Sequence, residues 1–379
     1  MRGIMLTVLL AATCVYAASP NANTLQKVTC DQLTQTVAAS QQAPDADLAQ
    51  KLAGLELSEW LSNARLAELT GKLPGEKSRL VLLMLADQSV FLPPPAGEIP
   101  ADAAPDAATT RQMLVKIVNY VNTTVRQLPN LMATRSTNGF EDRPQEEKLT
   151  DTGVESLGYL PLRWVGSISV DVTYRDRKEV EDSKVKMKKE GSGVGGLVTT
   201  GEFGPILSTV VADALKGKIT WARWEKSAGG TLAVFHFAVA DDRSNYRVQF
   251  CCIVNGYATD GSPNRQVFDE RAAYHGDIVF NPADGSIQLL TLEADLPQGG
   301  LVAAAGMAVE YAAADIGGRS YVCPVKSVSM LQAHTAQQSG AFSRSDYKGP
   351  AKTFLNDVAF SGYRRFGSEV KILADSAGE

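Results

Sequence analysis

Residues that usually carry chemistry are scarce in this chain: histidine occurs three times and cysteine five times in 379 residues. His236, His275 and His334 each lack a second histidine three or four residues away, which removes the helical zinc motif. No C-x-x-C occurs, so a thioredoxin-type redox site and a zinc ribbon are excluded. There is no G-x-S-x-G elbow. Ser183-Lys184-Val185-Lys186 has the S-x-x-K spacing of penicillin-binding enzymes, but the S-D-N and K-T-G elements that chemistry needs are missing. Charge of a single sign is lacking too. The 42 acidic and 37 basic residues are interspersed, leaving a net charge of -5 and no electrostatic footprint for nucleic acid. Gly191-Ser192-Gly193-Val194-Gly195-Gly196 has G-x-G-x-x-G spacing, yet it follows the charged run Lys184 to Glu190 instead of a hydrophobic strand. It reads as a loop, not a dinucleotide site.

What is present begins with a targeting segment. Arg2, the apolar run Ile4 to Ala12 and the small-x-small triplet Val15-Tyr16-Ala17 form a secretion signal, with cleavage expected between Ala17 and Ala18. The expected location is exported, periplasmic or secreted. No later stretch approaches the roughly 20 apolar residues that span a bilayer, so the mature chain is expected to have no transmembrane segment and to be soluble. Outside the cytoplasm disulfides persist. Cys251 and Cys252 are adjacent on a predicted strand and point to opposite faces, so at most one pairs with Cys323 across a sheet. Cys252 with Cys323 is the candidate disulfide; Cys251 in its place, or small buried thiols throughout, are the other readings.

The mature chain divides by pattern. Residues 18–92 read as a small helical domain: Leu33 and Val37, Leu48, Leu52 and Leu55, then Leu80, Leu83, Met84 and Leu85 recur at helical spacing. Breaks fall at Pro44 and Leu73-Pro74-Gly75, and Ser58 is an expected cap for the segment carrying Trp60 and Leu61. Residues 93–108, opening with Pro93-Pro94-Pro95, read as an extended Pro/Ala-rich linker. A helix is expected from Ala107 to Gln127, with Met113, Leu114, Ile117, Val118 and Val121 on one face. Residues 109–379 form the second domain, this helix and a series of alternating strands. Asn281-Pro282-Ala283-Asp284-Gly285 is a hairpin loop between two of them. The fold class is therefore α+β: a small N-terminal helical bundle, then a large curved antiparallel sheet or half-open barrel with a packed helix.

Gly201 to Leu207, Trp221-Ala222-Arg223-Trp224-Glu225, Tyr274-His275-Gly276-Asp277-Ile278, Tyr321 to Val328 and Phe360 to Phe366 resemble blocks of a family of uncharacterised exported bacterial proteins. Leu85 to Ser89 and Gln127 to Asn130 extend the likeness into the helical half. More loosely, the second half is similar to the lipoprotein-carrier class that includes the periplasmic outer-membrane lipoprotein chaperone. The similarity lies in a helix from Thr109 to Gln127, a first strand from Leu131 to Phe140, a tyrosine-glycine hairpin at Tyr274 to Ile287 and closing strands from Phe360 to Leu373. The helical N-terminal domain and the Arg175 to Gly204 insertion depart from that class. The resemblance implies an unclosed barrel whose concave apolar face holds acyl chains.

Three functions follow as expectations. The first is an exported noncatalytic binding or carrier protein for a lipid or acyl chain. The second is a structural or interaction component of the cell envelope, with the helical domain meeting an envelope protein. The third is a hydrolase using His236 or His275. No cofactor and no metal ligand set is expected. Asp151, Glu202, Glu225, Asp277 and Glu310 are equivalent as candidate catalytic carboxylates, because sequence separation does not show which two meet.

Overall fold

A computed structural model describes residues 25–150, 153–181, 202–227, 229–257, 263–336 and 348–366. The cleavage pair Ala17 and Ala18, the S-x-x-K and the glycine-rich stretch at 191–196, and Asp151, lie outside the described residues.

The chain opens with β1 (Gln26–Val28), α1 (Cys30–Ala39), α2 (Asp45–Ala53), β2 (Leu55–Leu57), α3 (Asn63–Thr70) and α4 (Glu76–Ser89). Local chemistry sets these boundaries. The Thr29 hydroxyl and the Gln32 side chain form a capping box at the start of α1. Asp45, in the first turn of α2, caps α4 instead, accepting from Lys77 N at 3.0 Å, Ser78 N at 3.0 Å and Ser78 Oγ at 2.6 Å. Gly75 at the head of α4 leaves that carboxylate room, since a Cβ there would lie 2.5 Å from it. Leu33, Leu48, Leu52, Leu82 and Leu85 bury into one core. Two expectations change here. Strands β1 and β2 pair in parallel, an arrangement that helical spacing concealed. Ser58 caps nothing: its hydroxyl bonds Val28 O, and α3 starts later, after Ser62.

Helix α5 (Ala107–Gln127) leads into β3 (Leu131–Arg143), the paired β4 (Glu146–Thr150) and β5 (Gly153–Leu157), β6 (Leu160–Arg175) and β7 (Lys178–Glu181). Next come α6 (Pro205–Ala214), β8 (Lys218–Ser227), β9 (Gly230–Val239), the paired β10 (Arg247–Tyr257) and β11 (Pro263–Arg271), and β12 (Ala273–Phe280). β13 (Ile287–Asp295), β14 (Val302–Asp315), β15 (Ser320–Ala336) and β16 (Lys348–Arg365) complete the described elements. Ten strands form one sheet in the order β7-β6-β3-β16-β15-β14-β13-β12-β9-β8. Every neighbouring pair in it is antiparallel. The sheet ends at β7 and β8 and does not close into a barrel.

The class is thus α+β, with one helix that the pattern missed. α6 is ten residues long and mostly apolar, broken by Ser208, Thr209 and Asp213 and with three valine or isoleucine residues (Ile206, Val210 and Val211), so neither a helical nor a strand period stands out. Pro205 at its first turn was the available signal. Among the described residues no helix is long and apolar enough to cross a membrane.

Both faces of the sheet are covered. On β9, Ala233, Phe235, Phe237 and Val239 face α5 and α6, while Leu232 and Val234 face Trp60, Val90 and Phe91. The chain crosses from one face to the other through the proline-rich stretch. Pro94 and Pro95 are buried, Trp60 N donates to Pro93 O at 2.8 Å, and the Trp224 indole on edge strand β8 donates to Ala103 O at 2.9 Å. The stretch touches the body of the protein at these points, while Ala101 to Ala104 are exposed.

Candidate functional site

The face beneath α5 and α6 holds the largest apolar cluster among the described residues. Met113, Ile117 and Val121 of α5 and Leu207, Val210 and Val211 of α6 meet Phe235, Phe237, Ile278, Phe280 and Leu290 of the sheet. Burial of each such side chain contributes about 1.5–3 kcal/mol. Their alternation on β9 and β12 follows from the period of two along a strand. The hairpin between β12 and β13 seats the helix. Gly285, at φ +80°, brings the turn so close that a Cβ would lie 2.5 Å from the Lys116 backbone. The Lys116 ammonium donates to Pro282 O at 2.9 Å. At the margin of this core Leu114, Val118, Trp221, Trp224 and Tyr246 are only partly buried, so the seam between helix and sheet is lined by apolar and aromatic side chains. Asp213 of α6 is fully buried and ties the seam's end, accepting from Asn245 N, Asn245 Nδ2 and the Tyr274 hydroxyl.

The opposite face of the same strands carries a charged row. Asp277 on β12 lies directly opposite His236 on β9. Its Oδ1 accepts from His236 Nδ1 at 2.9 Å and its Oδ2 from Arg223 Nη1 at 2.9 Å. Arg223 also reaches Glu225 Oε2 at 3.1 Å. Two residues along β12, His275 Nδ1 lies 2.9 Å from Asp295 Oδ1, and its Nε2 lies 3.8 Å from Glu293 Oε1. The two imidazole centroids are 6.0 Å apart. Burial pushes the Glu225 carboxyl up against the pull of Arg223. Burial likewise pushes Glu293 up, with His275 opposing and Asp277 and Asp295 adding to the rise.

Farther along this face the charges are shut in. Lys326 of β15 reaches Asp87 Oδ1 of α4 at 2.5 Å and Asp357 Oδ1 of β16 at 3.5 Å. Asn63 Nδ2 donates to Glu310 Oε2 at 2.6 Å. Burial pushes Asp87 up to about 8, the Asp357 charge adds to it, and Lys326 opposes. For Lys326 burial acts downward, but the Asp87 and Asp357 carboxylates outweigh it and hold the ammonium up.

Of the carboxylates that sequence could not rank, Glu225 and Asp277 meet through Arg223. Glu310 belongs to the group around Lys326, and Glu202 lies on the other face, with its Oε1 3.6 Å from Arg135 Nη2. His236 and His275 come together, while His334 sits on β15 away from the row. Cys323 is buried beside Leu131, Val358 and Phe360, and burial pushes its thiol up to about 12. The side chain of Cys252, its expected partner, lies outside the described residues. Among the described residues no three His, Cys, Asp or Glu groups converge at metal-binding distance.

No protein-family model, curated protein or solved structure matches the chain.

Proposed function

We propose that this protein is an exported, noncatalytic carrier that holds an acyl chain or similar apolar ligand between its sheet and α5. The observation that carries the reading is the apolar seam of half-buried Leu114, Val118, Trp221 and Trp224, packed beside the Phe235–Phe237–Phe280 core. An unclosed sheet covered on this part of its face by two helices offers a route by which α5 yields and a ligand takes its place. A curved, half-open barrel geometry and the loose similarity to lipoprotein carriers belong to this same reading.

Mass spectrometry of lipid extracted from the natively purified protein is the direct test. The expected result is a stoichiometric acyl-bearing lipid, together with saturable binding of a fluorescent fatty acid that Ile117→Arg weakens. Protein that carries no lipid and binds no fluorescent fatty acid rejects the carrier. Crosslinking in intact cells then decides for an envelope partner. The His236–Asp277 pair favours a second reading, acid–base hydrolysis on the opposite face. Loss of ester hydrolysis in His236→Gln, with unchanged fatty-acid binding, would support it.

A further inference from the structure

We infer that the row on β9, β12 and β13 is a binding site for one divalent transition-metal ion of the zinc class, held by His236 Nε2, His275 Nε2 and the Glu293 carboxylate. This inference does not depend on the carrier reading, which concerns the other face.

The first argument is orientation. Both histidines give Nδ1 to a carboxylate, His236 to Asp277 and His275 to Asp295, each at 2.9 Å. A carboxylate accepts, so a proton is placed on Nδ1, and in the neutral imidazole the Nε2 lone pair is then the one that faces a ligand. Imidazoles whose second nitrogen is anchored on a carboxylate are the usual outer arrangement of histidine–metal sites. Two independent copies of that arrangement stand side by side here.

The second argument is spacing. Tetrahedral geometry with bonds of about 2.0–2.1 Å puts neighbouring donor atoms about 3.3 Å apart. His275 Nε2 and Glu293 Oε1 are already 3.8 Å apart. The imidazole centroids stand 6.0 Å apart, within reach of one shared ion. The three groups do not yet converge; Glu293 is 43% exposed and His236, held at Nδ1 by Asp277, is 45% exposed, so convergence asks for rotation of Glu293 and a tilt of His236 about that contact. Binding would draw in Glu293 and His236, whereas His275 needs little movement.

The third argument is charge. Asp277, Glu293, Asp295 and Glu225 line the row against the single guanidinium of Arg223. That balance attracts a cation and repels an anion. Imidazole with carboxylate suits zinc, nickel or copper, and is a poor match to magnesium or calcium.

The test is calorimetric titration of Zn2+ into the purified protein, made without a histidine tag and stripped of metal. One ion per chain is expected. His236→Gln and His275→Gln each weaken binding at least tenfold, and the double variant loses it. Asp295→Asn, which touches no proposed ligand atom of the ion itself, weakens binding about 10–100-fold. Diethyl pyrocarbonate footprinting needs no variant: Zn2+ protects His236 and His275 and leaves His334 unchanged. A wild-type protein that takes up no Zn2+ overturns the site. So does undiminished uptake by a folded double variant, or labelling of both histidines that Zn2+ does not slow.

Discussion

Asp277 on β12 and Asp357 on β16 project from the same face of the same sheet, yet their surroundings differ in one respect that matters. Asp357 lies under α4, in company with Asp87, Glu310 and Lys326, and its side chain is 7% exposed. Asp277 lies beyond the helices, and its partners His236 and Arg223 reach solvent. The shut group sets three carboxyls, Asp87, Glu310 and Asp357, around the single ammonium of Lys326, so burial leaves Asp87 holding its proton to about pH 8. The open group satisfies each acid with a donor that can turn outward. Coverage by a helix converts the same residue types from ligands into a structural clasp, because the cost of charge rises steeply as water is removed.

The sharpest way to break this contrast is Lys326→Met. Above about pH 8, where Asp87 is ionised, it leaves Asp87 and Asp357 facing each other without their ammonium, and a loss of about 3–5 kcal/mol in urea unfolding is expected there. Replacing Asp87 by Leu in the same chain should recover much of that loss, since removing both ends of a buried pair costs far less than removing one. A double variant as unstable as Lys326→Met would show that the clasp contributes no coupling.

The next effect is on pH. Asp87 holds its proton to about 8 in the folded chain, against about 3.9 in an unfolded one. The folded state therefore binds more protons across this window. Its stability is highest at the acid end and falls as pH rises from about 4 through 8, by up to about 1.4 kcal/mol per unit. Denaturation midpoints at pH 5, 6, 7 and 8 should fall in the wild type and flatten in Asp87→Asn. Equal slopes in both proteins would place the proton elsewhere.

The smallest effect belongs to the open row. His236→Gln should shift stability by no more than about 1 kcal/mol, because its pairing with Asp277 is solvent-screened. A loss as large as that of Lys326→Met would mean the row is structural. Gly285→Ala serves as a fold control. Its positive φ and its approach to Lys116 predict a cost of about 1–3 kcal/mol on the seam face, leaving Zn2+ uptake intact.

Much of the architecture was legible from pattern. Met113, Ile117 and Val121 on one helical stripe, the alternation through Phe235 and Phe237, and the Asn281 to Gly285 turn are all local signals, and the structure carries each of them. The row was not legible. β9 pairs with β12 and skips the β10–β11 hairpin between them, so His236 and Asp277 meet across a gap that no local spacing encodes. The clasp was hidden for the same reason: Lys326 and Asp87 are 239 residues apart.

By itself the chain's order of residues determined its α+β class, the long amphipathic helix and the turn that seats it, since these depend on periods of 3.6 and 2 and on backbone conformation within a few residues. Tertiary structure alone decided which charges share a face, which of them a helix covers, and therefore which titrate as a buried clasp and which stay open to a ligand. Strand order and helix docking set those distances, and electrostatic cost depends on distance and water and not on position along the chain.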